Sequence, residues 1–89
     1  MDKLIIIPLN LFNFNQEIII VDEQGPQTFA QVDFAHLPEV IVEASVVNNI
    51  NNIRIIGNAN YAEAISNEIK DYTVQNYANK NINIEIVEA

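Results

Sequence analysis

Two short runs constrain this chain more than any other feature: Leu4-Ile5-Ile6-Ile7 and Ile18-Ile19-Ile20-Val21. β-branched side chains are stiff at χ1 and fit a pleated surface, so both runs are strands. Neither alternates. A strand with one side in water normally places polar residues there, and these runs have none to place. A sheet built on them must cover both of its faces or leave one apolar.

The remaining elements follow from punctuation and period. Pro8 removes a ladder donor and ends the first strand. Asn10 to Gln16 is mixed and turn-like, since Asn side chains bond readily to nearby backbone. Glu17 to Val21 forms a second strand, and Asp22-Glu23-Gln24-Gly25-Pro26 is a strong turn signal. Thr28 to Phe34 alternates, with Thr28, Ala30, Val32 and Phe34 on one face and Phe29, Gln31 and Asp33 on the other. That segment is polar enough to read also as an irregular edge.

After Phe34 the period changes. Pro38 suits the first turn of a helix, and Leu37, Val40, Ile41, Ala44 and Val47 mark one helical face. Asn48-Asn49 and Asn51-Asn52 stop it. Ile53 to Ile56 is a short strand broken at Gly57. Asn60, with Glu63 three residues on, has the spacing of a capping box. Tyr61, Ile65, Ile69 and Tyr72 then trace a second helix to about Ala78. Ile82, Ile84 and Ile86 alternate with Asn83, Glu85 and Val87 in a closing strand.

The order β-β-β-α-β-α-β defines an α/β chain of mixed α+β character, one domain over residues 1–89. Consecutive strands with short connections pair antiparallel, and strand–helix–strand passages make right-handed parallel crossovers. The simplest sheet obeying both rules has order 3-2-1-4-5 with strand 2 reversed. Two crossovers moving the same way put both helices on one face. The other face then has no cover from this chain.

Composition narrows the function. Twelve acids stand against four Lys and Arg, for a formal net charge of −8. Phosphate binding needs clustered Lys and Arg, so neither direct nucleic-acid contact nor an anionic membrane is expected. There is no Cys, and hence no disulfide or thiolate site; this favours a reducing, cytoplasmic location. No run approaches the roughly 20 apolar residues of a membrane span.

The strand and helix order resembles the core of the ribonuclease H-like fold across nearly the whole chain. The run Gly57, Asn58, Tyr61, Ile65, Ile69 is also similar to small uncharacterised phage-encoded proteins, which implies a host-cytoplasmic or virion setting. Active ribonuclease H-like proteins hold two metal ions between carboxylates on the first strand, the first helix and the end of the fourth strand. This chain has Ile5, Ile6 and Ile7 at the first position and Ile56-Gly57-Asn58 at the last. Glu39 and Glu43 on the first helix have no partners for two magnesium ions. The resemblance thus implies the fold without the chemistry, and no cofactor or metal is expected.

Few side chains invite chemistry. His36 stands alone in a connection, without a nucleophile motif, and is assigned no role. Asp22-Glu23-Gln24-Gly25 lacks the oxygen spacing of a calcium loop and is a hairpin turn. Gly57-Asn58-Ala59-Asn60 joins a strand to a helix N-terminus, where free N–H groups hold anions; Gly57, Asn58 and Asn60 are therefore a weak candidate anion loop. Tyr61 and Tyr72 are expected in the core rather than on a base-stacking platform.

The expected function is non-enzymatic. Ile5 or Ile6 should lie beside Ile18 or Ile19 on the uncovered face, approaching the few hundred Å² that mark an interface on a small monomer. A protein partner or a second copy would cover it. The alternatives are an acidic inhibitor that occupies a basic nucleic-acid-binding groove, and a small-ligand binder at Gly57–Asn60.

Overall fold

The computed structural model describes residues 3–89. Its elements are β1 (Leu4–Pro8), β2 (Asn15–Asp22), β3 (Gly25–Asp33), α1 (Leu37–Asn48), β4 (Asn52–Gly57), α2 (Ala59–Asn76) and β5 (Asn83–Glu88). The sheet order is β3-β2-β1-β4-β5. β2 runs antiparallel to β1 and β3, while β1–β4 and β4–β5 are parallel. This is the mixed sheet that the connection rules require.

β1 lies at the centre. Ile5 and Ile7 on β1, Ile18 on β2, and Ile53 and Ile55 on β4 are buried in one cluster with Leu37, Ile41 and Val42 of α1 and Ala62, Ile65 and Ile69 of α2. Alternate strand residues share a face, so these contacts place both helices on the same side. The result is a two-layer slab of 33 × 32 × 20 Å whose second broad side is bare sheet.

β3 departs from the expected alternation. Ile18 faces Ala30 but Ile19 faces Thr28, so Phe29 is the extra residue of a β-bulge. Thr28 therefore leaves the face of Ala30 and Val32 and joins Ile19 and Glu17 on the bare side. There its Oγ1 donates to Glu17 Oε2 at 2.5 Å. Glu23 and Gln24 form the β2–β3 turn, with Gln24 N–H donating to Asp22 Oδ1 and Gly25 at φ +95°.

The helices correct three expectations. On α1 the buried stripe is Leu37, Ile41, Val42, Ala44 and Ser45, while Val47 is exposed. The helix closes on Asn49 in the left-handed region (φ 53°). Ile50 N–H then returns to the Ser45 carbonyl and the Ile50 side chain is buried, the geometry of a Schellman stop. On α2 the cap is Asn58, not Asn60. Asn58 Oδ1 accepts from Asn60 N–H at 2.9 Å and Tyr61 N–H at 3.3 Å. Ala62, Ile65, Ser66, Ile69 and Thr73 pack inward, and Tyr61, one residue before Ala62 and so about 100° round the helix, is exposed at the edge of that stripe.

Gly57 lies at φ +151°, and a Cβ there would meet Leu9 Cβ at 2.9 Å. The chain needs glycine here because Leu9 N–H bonds to the Ile56 carbonyl, drawing the end of β1 against the end of β4.

Candidate interaction surface

The register settles which isoleucines face outward. Ile6 pairs with Ile19 across β1–β2, and Leu4 with Val21. On the other flank Ile6 pairs with Arg54, and Pro8 with Ile56. Ile5 and Ile18 belong to the opposite face and are fully buried under the helices. Of the four candidate positions, Ile6 and Ile19 thus lie on the bare face; Ile5 and Ile18 are core. Leu4, Val21 and Ile56 complete the apolar surface, all half-buried by their neighbours in the sheet. Val87, beside Ile56 on β5, extends it to the edge.

The charged groups of this face are engaged with neighbours. Arg54 Nε donates to Glu85 Oε1 at 2.5 Å across β4–β5. Glu17 accepts the Thr28 hydroxyl. The face carries Arg54 against Glu17, Asp33 and Glu85, a formal −2 out of the chain's −8. Glu39, Glu43, Glu63, Glu68 and Asp71 lie on the helices instead. Five acids thus lie on the helical side, and three surround the apolar row on the sheet side.

At the Gly57–Asn60 loop, the Asn58 side chain already occupies the N–H groups of Asn60 and Tyr61. Ala62 N–H bonds to the Asn58 carbonyl. The donors an anion would need are largely taken by the helix's own cap.

Two polar clusters escape the sequence reading. Tyr77 donates its hydroxyl to both Glu43 carboxylate oxygens at 2.8 Å, and Tyr72 donates to Oε1 at 3.0 Å. Tyr72 is held above the ordinary phenol range by burial and then by Glu43, Tyr77 by its hydrogen bond to Glu43 and then by burial. The pair ties the end of α2 to the middle of α1. His36 Nδ1 lies 2.7 Å from Asp33 Oδ1, which also accepts His36 N–H at 3.0 Å. The side-chain hydrogen bond raises the His36 pKa and lowers that of Asp33. Among the described residues no group of three or more His, Asp or Glu side chains could hold a metal ion, and no helix is long and apolar enough to cross a membrane.

A third feature lies in the β1–β2 connection. Phe12 is 99% exposed and Phe14 79%. The segment was legible as a turn, but not the outward aim of its rings, because Phe beside Asn equally fits a loop folded over the core.

Comparison of the chain with protein-family models and with curated proteins finds no match.

Proposed function

We propose that this chain is a small non-enzymatic interaction protein of the phage-encoded type, working in a reducing cytoplasm, that buries its bare sheet face against a second copy of itself. The observation that supports this most is the contiguous apolar row Leu4, Ile6, Ile19, Val21 and Ile56 at the middle of a sheet face that no helix covers, with Glu17, Asp33 and the Arg54–Glu85 pair around it. Each such side chain buried contributes roughly 1.5–3 kcal/mol. A standard interface takes about 800 Å² from each partner, and a side 33 × 32 Å in extent is wide enough to supply it. Sheets pack face to face at about 10 Å with side chains interdigitating. In that arrangement the acidic helices of the two copies point away from each other, so the repulsion between them is weak.

A second reading has its own support. The acids concentrated on α1 and α2 fit an inhibitor that presents a polyanion-like surface to a basic groove, a contact that rising salt would weaken.

Light scattering on the purified chain tests the first reading. The 10.0 kDa chain is expected at twice its mass, and Ile6→Asp or Ile19→Asp should return it to a folded monomer. An unmodified chain that is monomeric at millimolar concentration contradicts the reading.

A further inference from the structure

Gln16 is a polar side chain with 1% exposure, and all its bonds go to one loop. Its Oε1 accepts Asn10 N–H at 2.6 Å, and its Nε2 donates to the carbonyls of Asn10 at 2.8 Å and Asn13 at 2.9 Å. Asn10 Oδ1 in turn accepts Phe12 N–H at 3.0 Å, and Asn13 N–H returns to the Asn10 carbonyl at 3.1 Å. The loop backbone is thus fixed from beneath by a buried amide. What it displays above is apolar: Leu11 and the exposed rings of Phe12 and Phe14. Phe14 and Leu11 also line a concavity with Phe34 and Ala35 of the β3–α1 turn. Large aromatics rigidly presented in water lose little further entropy on binding, and such residues dominate protein interfaces.

The charge around the loop selects the occupant. The loop follows the C-terminal end of β1, where β4 ends at Gly57, β5 at Glu88 and β3 at Asp33. Glu17, Asp33, Glu39, Glu63 and Glu88 lie toward this end of the slab. The Lys and Arg side chains lie away from it, and His36, the one other side chain able to carry positive charge, is held by Asp33. Lys3 precedes β1, Lys80 Nζ bonds Asn51 before β4, and Arg54 is spent on Glu85 in mid-sheet. Lys70 is eleven residues into α2, about 16 Å along its axis at 1.5 Å per residue. An anionic lipid surface would be repelled here, as would the same end of a second copy. A protein pocket rimmed with Lys or Arg would be attracted.

We propose that the Asn10–Asn15 loop is a second, preorganised docking element, in which Phe12 and Phe14 insert into an apolar pocket with a basic rim on a different protein. This does not depend on the sheet-face contact, which uses other residues.

The test places a benzoylphenylalanine photo-crosslinker at position 12, with Asn67 on α2 as control position, in soluble extract of the cells that express the chain. The crosslinked protein is identified, purified and titrated against the unmodified chain. The expected result is one foreign protein whose affinity falls about tenfold or more with Phe12→Ala and with Phe14→Ala. Its affinity should also fall as salt rises from about 50 to 500 mM through loss of rim attraction. No crosslink above the position-67 control overturns the proposal, as does binding indifferent to both alanine variants. Crosslinking only to a second copy, or binding of the purified chain to phosphatidylcholine or phosphatidylserine vesicles through Phe12, assigns the loop to another occupant and equally overturns it. Light scattering on Phe12→Ala separates the two ideas: the sheet-face dimer should persist in it.

Discussion

Asp33 and His36 show how one side chain does two jobs. The Asp33 carboxylate accepts the N–H of His36, the residue before α1, and holds its imidazole at 2.7 Å. The hydrogen bond from Asp33 comes first among the causes that raise His36, followed by the charge of the same carboxylate. The sign of the linkage follows. A raised histidine pKa gives stability that is complete below its unfolded value and fades as pH rises through the folded one. The lowered Asp33 pKa gives stability that is present above its unfolded value and lost as pH falls through the folded one. The pair helps most in mildly acidic solution. A proton NMR titration of the His36 ring should find its midpoint above the ordinary imidazole value of about 6.5. Asp33→Asn should bring it down toward that value. An unchanged midpoint in the variant would mean the contact is not formed in solution.

Among the elements, legibility followed local chemistry. Strands announced by β-branched runs, and the parallel and antiparallel pairings forced by short links and crossovers, were readable from the residues alone. Helical faces were readable only in part. The α1 stripe as read included Val47, but the buried face also takes Pro38, Val42 and Ser45 and so centres near Ile41 and Ser45, which leaves Val47, about 200° round from Ser45, in solvent. Ile65 and Ile69 hold the α2 stripe as read, but Ala62, Ser66 and Thr73 complete it, which leaves Tyr61, about 100° round from Ala62, at its exposed edge. The bulge at Phe29 was hidden because it obeys no composition signal. Likewise, nothing local decides whether odd or even isoleucines of β1 meet the helices; only the paired register does. Tyr77, just past α2, bonds to Glu43 on α1 and so couples two elements 34 residues apart in sequence. Tyr77→Phe should lower the urea midpoint of unfolding at neutral pH. The wild type should lose that advantage in strong alkali. The raised tyrosine pKa values make the contribution of both hydroxyls full below about pH 10 and spent as pH climbs past their folded values.

At the scale of the whole molecule, the fold sorts a strongly acidic chain into two unlike sides. One layer is helical and carries Glu39, Glu43, Glu63, Glu68 and Asp71; the other is a sheet whose outer surface centres on Ile6 and Ile19. A chain of 89 residues buries only about 60–65% of its unfolded surface, so covering the sheet with a second copy would stabilise each subunit through association. The most direct measurement is an isotope-filtered NOE experiment on a mixed sample, half labelled in its isoleucine methyls and half unlabelled. The account predicts intermolecular NOEs at the methyls of Ile6, Ile19 and Ile56, and none at Ile65 or Ile69 beneath the helices. A millimolar sample showing no intermolecular NOE at Ile6 or Ile19 would contradict it.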